Sequence, residues 1–143
     1  LIAVTDKFLF DLKGDGMGLQ SLCLDRKNHQ GIVPENLFPD KHHIRPENLQ
    51  RNLYNLSKLL PEGKIEEVRL VFINQFFDAK SLIHKAASPL QTYPDVLLKI
   101  IRVHTKGARD VDGLEKFVPS IEETDELSAY AKKCGIQRVT TIY

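Results

Sequence analysis

Two short runs constrain this chain more than anything else in it. Val68-Arg69-Leu70-Val71-Phe72-Ile73 and Val96-Leu97-Leu98-Lys99-Ile100-Ile101-Arg102-Val103 are apolar almost throughout, rich in β-branched residues, and short. Runs of that kind fit strands buried on both faces, as in a parallel or mixed sheet covered by helices. The segments around them carry helical signals instead. Pro46 suits a first helical position, and Leu49, Leu53, Leu56 and Leu60 then form one apolar stripe, which predicts a helix over 46–60. Asp78 can cap a short helix over 79–87, with Leu82, Ile83, Ala86 and Ala87 on one side. Ser120 and Glu123 form a capping box for a helix over 120–134, whose face carries Leu127, Tyr130, Ala131 and Cys134. Lys132 and Lys133 suit its negative end, Gly135 stops it, and residues 136–143 read as a closing strand.

The N-terminal part follows a different period. Phe8, Phe10 and Leu12 alternate as in a strand, Lys13 to Gly18 is a turn cluster, and Leu19 to Leu24 is extended again, which predicts a hairpin. Residues 25–45 are polar, hold His29, His42 and His43, and read as a long connection. A chain of 143 residues suits one domain. The expectation is therefore a single α/β sandwich over 1–143, with a mixed sheet of about five strands, an N-terminal hairpin and about three covering helices.

Composition narrows function mainly by exclusion. Lys+Arg is 20 against 19 for Asp+Glu, so the strongly basic balance of many nucleic-acid-binding domains is missing. No segment approaches 18 consecutive apolar residues, so no transmembrane helix and no membrane partner are expected. A chain that opens on Leu1 reads as a processed product or a piece of something larger, and the sequence assigns no compartment. Cys23 and Cys134 are not in a Cys-x-x-Cys pair and read as two buried, reduced thiols.

Several local patterns invite chemistry. Gly14, Gly16 and Gly18 spell a glycine loop, but a strand follows where a phosphate site needs a helix N-terminus, so they read as a hairpin turn. His29, Asp40, His42 and His43 are the densest set of metal-ligand types. Adjacent histidines point different ways on most backbones, and no metal site is expected. Asp40 with Glu62-Gly63-Lys64 has the letters of a magnesium nuclease, yet places them in a loop rather than on a strand. Asp110-Val111-Asp112 spells a nucleotidyltransferase acid pair without the Gly-Ser turn that should precede it. Residues 102–112 are the strongest candidate. They leave the C-terminal end of a buried strand, where α/β sheets place ligand loops, and concentrate Arg102, His104, Lys106 and Arg109, which suits an anion.

Thr141-Ile142-Tyr143 puts a hydroxyl and a phenol on one face of the last strand. This ending resembles the Thr-x-Tyr that closes poly(U)-type endoribonucleases and some ribonuclease-A-like bacterial toxins. The resemblance implies metal-free RNA cleavage. His43 or His29 would be the general base, the other histidine or His104 the acid, Lys106 the phosphorane stabiliser, and Thr141 and Tyr143 the positioning pair.

Two functional expectations result. The first is a non-catalytic binding or regulatory module, cut from a larger protein, whose partner is another protein. The alternative is a toxin-like, metal-independent endoribonuclease with RNA as partner. Neither calls for a cofactor, and only the second makes the chain an enzyme.

Overall fold

A computed structural model of the chain describes residues 4–12, 46–75, 77–106 and 114–143. In chain order the elements are β1 (Phe8–Asp11), α1 (Pro46–Leu59), β2 (Ile65–Phe72), α2 (Ala79–Gln91), β3 (Leu97–Arg102), α3 (Ile121–Lys133) and β4 (Val139–Ile142). Short 3-10 turns at Leu60–Glu62 and Leu114–Phe117 complete them. The strands form one sheet in the order β1-β2-β3-β4, and every neighbouring pair is parallel.

The α/β class expected from the sequence is therefore present, while the mixed five-stranded sheet is corrected to four parallel strands among the described residues. The physical reason lies in the pairing of β1. It joins the sheet alongside β2, with Phe10 opposite Val68 and Asp11 opposite Arg69, rather than through a turn to an antiparallel arm. The second hairpin arm expected at 19–24, the glycine turn before it and Cys23 lie outside the described residues.

Local chemistry explains the helices. The Asp78 carboxylate accepts from the Ser81 N–H at 2.9 Å and so caps α2. That helix continues through Pro89 to Gln91, past the expected end at 87, and Leu90 on its last turn is buried in the core. Ser120 and Glu123 make the reciprocal capping box expected for α3. After Leu60–Glu62, Gly63 takes a left-handed conformation (φ 66°), which turns the chain into β2 at no steric cost.

The core lies between the sheet and its helices. Val68 and Leu70 of β2 and Leu98 and Ile100 of β3 are fully buried against Leu56 and Leu60, against Leu82, Ile83 and Ala86, and against Leu127 and Ala131. The registers put the alternate residues on the other face: Leu9, Asp11, Glu67, Arg69, Val71, Leu97, Lys99, Ile101, Thr140 and Ile142. There Leu9, Val71 and Ile142 remain about half exposed. The expectation that β2 and β3 are covered on both faces is thus corrected to cover on one face among the described residues. Arg69 and Lys99 supply the polar alternate positions that a near-continuous apolar run conceals.

Candidate functional site

A parallel sheet gathers the C-terminal ends of its strands at one edge, and such edges are where α/β proteins place reactive loops. Here that edge carries Asp11 and Leu12 from β1, Ile73 and Asn74 after β2, residues 102–106 after β3, and Tyr143 after β4. The connecting backbone is tied down. The Val103 N–H donates to the Phe72 carbonyl at 3.0 Å, and the Asn74 N–H donates to the Phe117 carbonyl at 2.9 Å.

The N-terminus of α3 is fastened to the same edge by charge-assisted bonds. The Glu123 carboxylate accepts from the Ser120 N–H at 2.6 Å and from the Asn74 side-chain amide at 3.0 Å. These bonds, the Ser120 backbone contact foremost, hold the Glu123 carboxyl below its ordinary range. The Glu122 carboxyl is lowered by its own backbone N–H, then by the Ser120 side chain, with the Arg102 charge also contributing. Arg102 donates through Nε to the Pro119 carbonyl at 2.6 Å, so it braces the entry to α3.

Set back from this edge, the bare face has a charged row across β1, β2 and β3. Arg69 donates through both Nε, at 2.9 Å, and Nη2, at 2.8 Å, to one carboxylate oxygen of Asp11. Lys99 and Glu67 pair at 2.5 Å across β2 and β3. The Asn52 side chain of α1 donates to the Asp11 carbonyl at 3.1 Å, which anchors β1 to the helix layer. Beyond the charged row, Val71, Ile101 and Ile142 lie side by side across β2, β3 and β4.

The residues singled out from the sequence divide four ways. His104 and Lys106 sit exposed on the segment leaving β3, at the edge described above. Thr141 pairs with Ile100 and so lies on the helix-covered face, while the Tyr143 hydroxyl donates to the Asp125 carboxylate of α3. His29, His43, Arg109, Asp40 and the acid pair at 110–112 lie outside the described residues. Glu62 ends a 3-10 turn, and Lys64 donates to the Thr5 carbonyl at 2.8 Å. The charged quartet Asp11, Glu67, Arg69 and Lys99 escaped the sequence reading. Its one signal was the alternation of charge with apolar residues inside β2 and β3.

A second concavity lies in the helix layer. His84, Ala87, Ser88, Gln91, Tyr130, Lys133 and Cys134 line about 370 Å³ between the C-terminal halves of α2 and α3. Cys134 is a free, half-buried thiol. A hydrogen bond with it, followed by burial, raises the Tyr130 hydroxyl above its ordinary value. No group of three or more His, Cys, Asp or Glu side chains able to hold a metal occurs among the described residues. Nor is any described helix long and apolar enough to cross a membrane.

Against known proteins, the chain is 61% identical over 142 residues to a Haemophilus influenzae protein named as a glycyl-radical enzyme activating enzyme. The match covers 99% of this chain and 54% of the relative. The chain thus spans about half the length of the curated relative it matches. No family model matches, and no solved structure does.

That likeness corrects both functional expectations. A close relative named for an enzyme that activates another enzyme leaves no ground for a non-catalytic module, a toxin or a nuclease. The Thr-x-Tyr resemblance rested on three residues, and two of them are engaged with the helix-covered side of the sheet. RNA as a partner has no support.

Proposed function

We propose that this chain is a portion of an enzyme that installs a glycyl radical in a partner protein. The observation that carries this reading is the 61% identity across nearly the whole chain to a relative bearing that name. A glycyl radical is an odd electron on a glycine α-carbon, so forming it removes one hydrogen atom from that carbon. The reaction needs the glycine held in one pose beside the hydrogen-atom acceptor, with solvent kept away. The partner is accordingly a protein, as expected from the sequence, with the finer identity of a glycyl-radical enzyme.

The described residues offer a rigid edge for such work. The loops after β2 and β3 are pinned to the backbone and to α3, while His104 and Lys106 stand out from them. We assign those two residues to the surface that meets the partner or its reacting segment. Arg102 and the Asp11–Arg69 pair keep that edge in shape.

The test is a chimera in which this chain replaces the matched 142 residues of the Haemophilus protein. Incubated anaerobically with the cognate glycyl-radical enzyme, the chimera is expected to generate the partner's glycyl radical, read by electron paramagnetic resonance. His104→Ala is expected to lower the radical yield at least tenfold with helix content unchanged. A folded chimera giving no radical, beside an intact relative that gives one, sinks the proposal.

A further inference from the structure

We propose that Gln75, at the C-terminal edge of the sheet, grips the main chain of the partner's glycine-bearing segment, a contact that rests on the activating reading of this chain. Among the described residues three have positive φ: Gly63, Gly135 and Gln75. Gln75, at 69°, is the one that carries a side chain. In the left-handed region a Cβ crowds the following carbonyl oxygen, so such positions ordinarily fall to glycine, asparagine or aspartate. Glycine would make this turn with less strain, and what glutamine adds there is its carboxamide. Strain of this kind persists only where the surroundings enforce it, and it gathers at ligand clamps and reactive sites.

The surroundings do enforce it. Ile73 is buried, and Asn74 is fastened twice, by its N–H to the Phe117 carbonyl at 2.9 Å and by its side-chain amide to Glu123 at 3.0 Å. On the other side Phe77 packs against the core, and Asp78 is fixed by its 2.9 Å bond from the Ser81 N–H. Between these fixed points Gln75 is exposed, and its carboxamide has no hydrogen-bond partner among the described residues. Phe72 lies opposite Arg102, so the loop bearing Gln75 leaves the sheet beside the segment bearing His104 and Lys106. A carboxamide offers two donors and an acceptor without charge, which complement the C=O and N–H of a peptide unit. The main chain around a glycine is the easiest to reach, because no side chain shields it. The ligand class is therefore an exposed, glycine-containing stretch of polypeptide, held by paired hydrogen bonds rather than by ion pairs.

Gln75→Gly and Gln75→Ala, made in the chimera, test this. The first keeps the left-handed turn and removes the whole side chain, while the second keeps the Cβ and removes the carboxamide. Affinity for the cognate glycyl-radical enzyme, read by fluorescence anisotropy, is expected to fall about fivefold or more in both. Gln75→Gly is expected to melt no lower than its parent. A synthetic peptide spanning the partner's glycine segment is then N-methylated at one position at a time. At least one methyl group is expected to weaken binding to the parent about tenfold and to leave binding to Gln75→Gly unchanged. Parent-like affinity in either variant overturns the proposal. So does a lower melting temperature for Gln75→Gly, which would assign the carboxamide to the fold. Methylation effects equal in the two proteins, or a peptide that the parent itself does not bind, overturn it as well. Binding that depends on Gln75 without any radical sinks the activating reaction alone, whereas radical formation with parent-like affinity in the variants sinks this contact alone.

Discussion

The two faces of this sheet use the same strands to different ends. On β2, Val68 and Leu70 are fully buried under helices, while Arg69 and Val71 between and beyond them look the other way. The covered face is a packed hydrocarbon interior, whose stability follows from area removed from water and from the absence of voids. The bare face is held by two cross-strand ion pairs and an apolar row. The difference teaches that strand alternation was maintained even where the sequence is almost uniformly apolar.

Truncating a covered residue is the strongest way to probe this contrast. Leu98→Ala opens a cavity in a site with 0% exposure and is expected to cost about 2–5 kcal/mol in urea unfolding. Val71→Ala on the bare face of the 143-residue chain should cost under about 1 kcal/mol, since its side chain is already half in water. Equal losses would mean that the two faces are covered alike.

Gly135→Ala comes next. Its φ of 89° disfavours any side chain, and an added Cβ would lie 2.7 Å from Gln91 Nε2, which donates to the Cys134 carbonyl. A loss of about 1–3 kcal/mol is expected, and Gln91→Ala in the same background should recover the part due to collision. Full recovery would show that the backbone conformation itself carries no strain.

A double-mutant cycle on Asp11 and Arg69 should give a coupling of about 0.5–1 kcal/mol, falling with added salt. Their side chains are 45% and 32% exposed, and solvent screens the pair. A coupling of zero at low salt would remove this pair from what holds the bare face together.

The smallest effect is one of pH. Glu123 has its folded carboxyl lowered below the ordinary 4.5, so the stability it contributes is present above that value and lost as pH falls through the lower folded one. Glu123→Gln should lower stability near neutrality and flatten its fall across that acid window, so that the two proteins converge at the acid end. An unchanged acid limb would assign the loss to other carboxylates.

Legibility followed the range of the interactions. The α3 helix was plain because its cap joins residues three apart, Ser120 and Glu123, and because its apolar positions recur along one face. The leucine stripe of α1 and the two apolar runs were plain for the same local reason. The candidate edge was partly legible too, since the segment after β3 already showed His104 and Lys106 beyond a buried strand. The charged quartet was not. Glu67 and Lys99, or Asp11 and Arg69, are tens of residues apart, and only the register of β1, β2 and β3 brings them into line.

What the amino-acid order determined alone was the kind and approximate place of each element from Pro46 onward, because periodicity, caps and turns act within a few residues. Tertiary structure alone decided that β1 runs parallel beside β2, that every helix lies on one side, and that opposite charges meet across strands. Those outcomes depend on long loops closing and distant surfaces fitting together, an energy shared among many residues and written at no one of them.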